Sequence, residues 1–173
     1  MSSAVRHGSM PNANSASSPM TRCTMYKTLL VPIDGSRDAR EALSLACQLR
    51  QTAGGSLHLL HVPEIPPAGD WLGYQTGASP LDYTPEKAEA QGREILEDAW
   101  RGCDQAGEDD KVDFIVRQGG PVQVILAEAE RLGADVIVMG SRGLSDLRGL
   151  VTGSVSHKIS HLAPCNVITI HAR

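Results

Sequence analysis

ADVIVMGSRGLSDLRGLVTGSVSHKI, residues 134–159, decides the fold. Val136-Ile137-Val138-Met139, between Asp135 and Gly140, is a short β-branched run that ends at a turn former. Such a run suits a strand of a parallel sheet covered on both faces. Gly140 and Gly143 follow, then nine residues, then Gly153-Ser154 and the opening of a helix at Val155-Ser156-His157-Lys158-Ile159. Glycines let the backbone turn and let a ligand come close. Ser154 is placed to cap the helix, and the free N–H groups of a first turn favour negative charge. On these residues alone, a tight turn before a helix and a phosphate cradle both remain open.

Outward from that stretch, strands and helices alternate. Tyr26 to Ile33 reads as the first strand, and Asp34-Gly35-Ser36 as the turn, with Ser36 capping a helix to about Ala53. Gly54-Gly55 stops it, and Ser56 to Val62 is the second strand. Pro63 to Tyr83 holds four prolines and three glycines without a period and reads as a long loop. Thr84-Pro85-Glu86 starts a helix that carries Ile95, Leu96, Ala99, Trp100 and Cys103 and frays into Gly107–Asp110. Val112 to Arg117 is the third strand. Pro121 opens a helix with a stripe at Val122, Ile125, Leu126, Ala129 and Leu132, ended by Gly133. After the glycine loop a helix runs to about Leu162, Pro164 breaks it, and Asn166 to His171 is the last strand. The alternation predicts an α/β fold, an open parallel sheet with helices on both faces.

Bulk properties exclude several functions. A chain of 173 residues is one domain's worth. A net charge of −4 gives no global attraction to nucleic acid or an anionic membrane. Aromatics at 3% argue against stacking platforms for single strands. No apolar run approaches the roughly 20 residues needed to span a bilayer. Cys23, Cys47, Cys103 and Cys165 include no C-x-x-C pair, so reduced thiols in a cytosol are the easier reading. Residues 1–24, rich in Ser, Asn, Ala and Pro, read as a disordered tail ahead of a domain over 25–173.

Two nucleotide motifs are missing: a G-x-x-x-x-G-K-[ST] loop, and G-x-G-x-x-G after the first strand, where PIDGSRD stands. The spacing Gly140-x2-Gly143-x9-Gly153-Ser154 instead resembles the nucleotide loop of the universal stress protein family in its ATP-binding branch. LLVPIDGS (29–36), LLHV (59–62), ADVIVMGSRG (134–143) and APCNVITI (163–170) are similar to that family too. The resemblance covers about Met25 to Arg173. It implies a five-stranded Rossmann-like sheet of the adenine-nucleotide α-hydrolase type, in the order 3-2-1-4-5. The first and fourth strands are then neighbours at a topological switch point, where ligands of open α/β sheets bind. Asp34 and Gly140 close those two strands.

The resemblance also implies the site. Gly140, Gly143, Gly153, Ser154 and Val155, with Met139 alongside, hold ribose and phosphates, and Ser156 is a weaker addition. Asp34, with Pro32 beside it, contacts the nucleotide near adenine and ribose, against the alternative that it only satisfies turn amides. Val62 recognises adenine through its backbone. Arg142 and Arg148 can meet phosphate or stand as ordinary solvated loop arginines. The implied ligand is ATP with Mg2+, in a cytoplasmic homodimer paired through the last strand, with a regulatory role in stress. Asn166 stands where many family members carry proline. Beyond Asp34 and Asp146 there is no set of groups for efficient phosphoryl transfer, so hydrolysis is expected to be slow or nil. A nucleotide-free interaction module and a cyclic-nucleotide binder are the alternatives. His157 and His161 lack further ligands and read as helix surface, and His58 and His61 point to opposite faces of their strand. Cys165 reads as a small buried hydrophobe.

Overall fold

The computed structural model describes residues 26–63, 84–104, 112–143 and 153–172. The tail at 1–24, most of the long loop (64–83), the fraying segment 107–110, Asp146 and Arg148 lie outside the described residues. Among the described residues nine elements follow in chain order: β1 (Thr28–Pro32), α1 (Arg37–Ala53), β2 (Ser56–His61), α2 (Pro85–Arg101), β3 (Val112–Val116), α3 (Pro121–Leu132), β4 (Val136–Gly140), α4 (Ser154–Leu162) and β5 (Asn166–Ile170). The strands form one sheet in the order β3-β2-β1-β4-β5, every pair parallel. This is the predicted order.

Successive side chains of a strand point to opposite faces, so a strand covered on both sides must be apolar at every position. Leu29, Val31, Leu57, Leu59, Val136 and Val138 pack with Ala42, Leu43 and Ala46 of α1 and Leu96 and Ala99 of α2. Leu30, Leu60, Ile137 and Met139 turn the other way, onto Ile125 and Ala129 of α3 and Ile159 of α4. Helices α1 and α2 therefore cover one face and α3 and α4 the other. The chain changes face between β3 and β4, which places β4 beside β1.

Helix boundaries follow local chemistry. The Ser36 hydroxyl accepts the Ala39 N–H at 3.2 Å, and Thr84 accepts that of Lys87 at 3.2 Å with Pro85 behind it. Gly54 and Gly133 close α1 and α3 in the left-handed conformation. One cap differs from expectation: Gly153 is the N-cap of α4, and Ser154 is its first helical residue. The Ser154 side chain therefore caps nothing, and the first turn is left without a side-chain acceptor. Strand ends differ by a residue or two. Strand β1 begins at Thr28 because the Asp135 carboxylate takes the Lys27 and Thr28 N–H groups, at 2.8 and 2.9 Å, in place of a ladder partner. Strand β4 reaches Gly140, which pairs with Ile170.

Glycine inside a helix costs about 1 kcal/mol relative to alanine, so Gly92 in the middle of α2 needs a packing reason. A Cβ there would lie 2.8 Å from Val116 Cγ1 and 2.9 Å from His61 Cδ2. Neither neighbour yields easily: valine is stiff at χ1, and the His61 ring is held by the Ile33 carbonyl at 2.7 Å. The Gly92→Ala variant is expected to lose about 1–3 kcal/mol through overpacking. Urea denaturation checks this, as a lowered midpoint with an unchanged slope.

Candidate functional site

The carboxyl ends of β1 and β4 lie side by side, and the chain leaves each through a sharp turn. After β1, Gly35 adopts φ +88°, and Asp34 Oδ1 accepts the Ser36 N–H at 2.9 Å. After β4, Gly140 packs directly on the start of α1: a Cβ there would meet Asp38 Cβ at 2.8 Å and Ala39 N at 3.0 Å. A side chain at Gly143 would meet Asp34 Oδ2 at 2.9 Å. The two loops are thus in contact, and glycine permits the approach on the β4 side.

The strand–loop junction is held by Asp38. Its Oδ2 accepts the Ser141 hydroxyl at 3.0 Å and the Arg142 N–H at 3.2 Å, and its Oδ1 accepts the Ala172 N–H at 3.1 Å. His171 Nδ1 lies 3.4 Å from Oδ2. Burial raises the Asp38 pKa, but the bonds from Ala172, Ser141, His171 and Arg142 outweigh it, and the net direction is downward. The described residues on either side of 144–152 meet at one carbonyl. The Gly153 N–H and the Ser156 hydroxyl both donate to Ser141 O, each at 2.8 Å. Ser156 also reaches Gly153 O at 3.0 Å, so its proton serves the loop closure.

A cavity of about 350 Å³ opens over these turns. Pro32, Asp34, Val62, Met139, Gly140, Arg142, Gly143, Gly153, Ser154 and Val155, the whole set singled out from the sequence, line it together. The volume lies in the range of small-molecule sites, roughly 300–1,000 Å³. Two features suit an anion. The first turn of α4 borders the cavity without a side-chain cap. Arg142 Nε is buried and finds no hydrogen-bond partner among the described residues. Opposite in sign, the Asp34 carboxylate lines the same space.

Sequence reasoning missed the far wall. Ala88, Gln91, Gly92 and Ile95 of α2, with Pro121 and Ile125 of α3, also line the cavity. The one sequence signal was the mid-helix Gly92. His61 and Ser141 were passed over as well, and so was Asp38, whose place in a first turn suggests only a partner for the helix dipole. His157 and His161 are exposed on α4, ring centroids 4.8 Å apart. His58 meets Asp113 at 3.1 Å, away from His61, which touches Ile33 and α2.

The sequence profile of the universal stress protein family matches residues 25–171. This chain belongs to the universal stress protein family. It is 32% identical over 154 residues to universal stress protein YxiE of Bacillus subtilis, covering 84% of this chain and 99% of that one. Among solved structures it is similar to UspA from Lactobacillus plantarum, with 26% identity, a TM-score of 0.63, and coverage of 84% of this chain and 97% of that one. A universal stress protein solved in complex with cAMP is 25% identical, with a TM-score of 0.60 and coverage of 84% and 97%. The Rossmann-like universal stress protein fold thus accounts for the strand order and the crevice at β1 and β4.

Asp38 makes the crevice pH-sensitive with a definite sign. Because its folded pKa lies below the ordinary aspartate value of about 3.9, its contribution to stability is fully present above that value. The contribution is lost as pH falls from there through the folded value. The Asp38→Asn variant is expected to be less stable than the native chain by about 1–3 kcal/mol at neutral pH. Urea unfolding at a series of pH values should show that difference holding down to pH 5 and shrinking below the unfolded pKa of about 4.

Proposed function

We propose that this universal stress protein binds ATP with Mg2+ in the crevice at the carboxyl ends of β1 and β4, and that occupancy serves a regulatory role in stress. The observation that carries the reading is the uncapped first turn of α4 opening onto the same cavity as Asp34. A helix N-terminus supplies N–H donors and a positive dipole end for phosphate. In this reading Gly140, Gly143, Gly153, Ser154 and Val155 surround the phosphates, and the buried Arg142 Nε supplies a further donor. The carboxylate of Asp34 accepts from a ribose hydroxyl, which rationalises an acid in an otherwise anion-seeking pocket. Met139 lies alongside the ribose and phosphates, Pro32 stands beside Asp34 near adenine and ribose, and Val62 recognises adenine through its backbone. Bound Mg2+ would offset phosphate charge.

The protein is proposed to act in the cytoplasm as a homodimer paired through β5. That strand is an edge of the sheet with β4 as its partner, and Val167, Ile168 and Ile170 are half-buried on it. No helix among the described residues is long and apolar enough to cross a membrane. Regulation rather than metabolism fits the crevice, because positioned groups for in-line attack are scarce among the described residues. Turnover with Mg2+ is expected to stay below about 1 s⁻¹, the floor of the ordinary enzymatic range. A cyclic nucleotide is the second reading, supported by the relative solved with cAMP.

Mass spectrometry of small molecules released on denaturing the purified protein tests the proposal, followed by calorimetric titration of the emptied protein with ATP–Mg2+ and with cAMP. ATP or ADP in the released fraction, or tighter binding of ATP than cAMP, supports the first reading. Tighter cAMP binding favours the second. The Gly143→Val variant, which drives a side chain at Asp34, is expected to weaken ATP binding at least tenfold, about 1.4 kcal/mol, with its urea midpoint little changed. Unchanged affinity would sink the assignment of the loop. A chain that binds neither nucleotide would instead be an interaction module.

A further inference from the structure

The seam between α1 and α2, on the face away from α3 and α4, brings together two cysteines 56 positions apart in sequence. Cys47 is fully buried in α1, and Cys103 is half-buried just beyond Gly102, the C-cap of α2. Their sulfurs are 3.7 Å apart, in direct contact as thiols. Cys165 packs with the cluster on the opposite face of the sheet and cannot join them.

We propose that Cys47 and Cys103 are a redox-modification site, forming a reversible intramolecular disulfide that staples α1 to the end of α2 when the protein meets a peroxide. Contact between the sulfurs leaves a short closure to the disulfide bond length of about 2.05 Å. Cys103 can make that adjustment, because it lies past the last turn of α2, where its N–H donates to Trp100 O at 3.1 Å.

The burial of each thiol assigns its part. Cys103, the accessible partner, attacks the peroxide as thiolate; the O–O bond breaks, Cys103 becomes a sulfenic acid, and hydroxide leaves to take up a proton. Cys47 then attacks the sulfenic sulfur. The S–S bond forms, the S–O bond breaks, and the Cys47 proton leaves with the departing hydroxide as water. Two thiols lose two electrons and one peroxide becomes two waters. Burial, with Cys103 beside it, pushes the Cys47 thiol up to about 12, the nearby Arg50 pulling weakly the other way. Cys47 is therefore held as the thiol and reacts second, at a sulfur already in contact with it. The Arg50 guanidinium also lies 5.8 Å from the Trp100 ring centroid, a cation–π contact between α1 and α2.

The test treats the full-length reduced protein with hydrogen peroxide under native conditions, blocks free thiols, and maps the peptides. The expected result is a protein lighter by two hydrogens, a cross-linked Cys47–Cys103 peptide, and restoration of both thiols by dithiothreitol. A bridge across this long a loop should raise the melting temperature by roughly 5 °C or more. Cys165→Ser should behave as the native chain, and Cys103→Ser should show neither the cross-link nor the thermal shift. Recovery of Cys103 only as sulfinic or sulfonic acid, with Cys47 still a free thiol, would overturn the proposal. So would a cross-link that forms only after the chain is unfolded.

Discussion

The carboxylate of Asp38 sits where three separate segments meet. It belongs to the first turn of α1, accepts hydrogen bonds from Ser141 and Arg142 at the end of β4, and accepts the N–H of Ala172 beyond β5. A junction of this kind is possible only where the helix can touch the strand end, and Gly140 supplies the missing side chain. The crevice depends on it. With α1 drawn against β4, the turn after β1 and the loop after β4 are forced into one space, and Asp34 comes to face Gly143. Buried carboxylates are stable when their lone pairs are met by donors, and here the donors are also the backbone that must be fixed.

A second constraint acts at the far end of the loop. One carbonyl, Ser141 O, receives both the Gly153 N–H and the Ser156 hydroxyl. That draws Gly153 and Ser156 to the end of β4 and sets where α4 begins. Because the closing residue is glycine, no side chain competes for the first-turn N–H groups of α4. A serine cap at that position would have satisfied one of them. The structural difference between capping by Gly153 and capping by Ser154 is therefore chemical as well as positional: it leaves donors available to a ligand.

What was legible in the sequence follows from the range of the forces involved. Caps at Ser36 and Thr84, left-handed stops at Gly54 and Gly133, and apolar runs such as Val136–Met139 act within a few residues, so they can be read directly. The glycine spacing pointed to the crevice through its resemblance to the family's nucleotide loop and the switch point that the implied strand order creates; the residues alone left a tight turn open. Contacts between distant segments left weaker traces. The Asp38 junction joins positions more than 100 apart, and an aspartate in a first turn already has an ordinary local explanation. The α2 wall shows in the sequence only as a glycine where helix propensity disfavours one. Cys47 and Cys103 carry no spacing signal, since their contact depends on how two helices lie across a sheet. Strand ends were misplaced where a side chain replaced a ladder bond, as Asp135 does for Lys27 and Thr28.

Helix α2 is the element that the crevice and the cysteine pair share. It lines the crevice through Ala88, Gln91, Gly92 and Ile95, and its last turn leads through Trp100 to Cys103. Its seat is defined on the sheet side by Gly92, which locks it onto Val116 and His61, and on the α1 side by Leu96 and Ala99 in the shared core. Physical continuity of this kind is not yet coupling; coupling requires that both events bias the same two-state element. The packing argues that the helix would respond as a rigid body, because close contact at Gly92 leaves no slack for one end to move alone. A staple at its carboxyl end would then act on the crevice by restricting the motion of the whole wall. Its influence on a ligand would extend only as far as that ligand prefers one position of α2 over another.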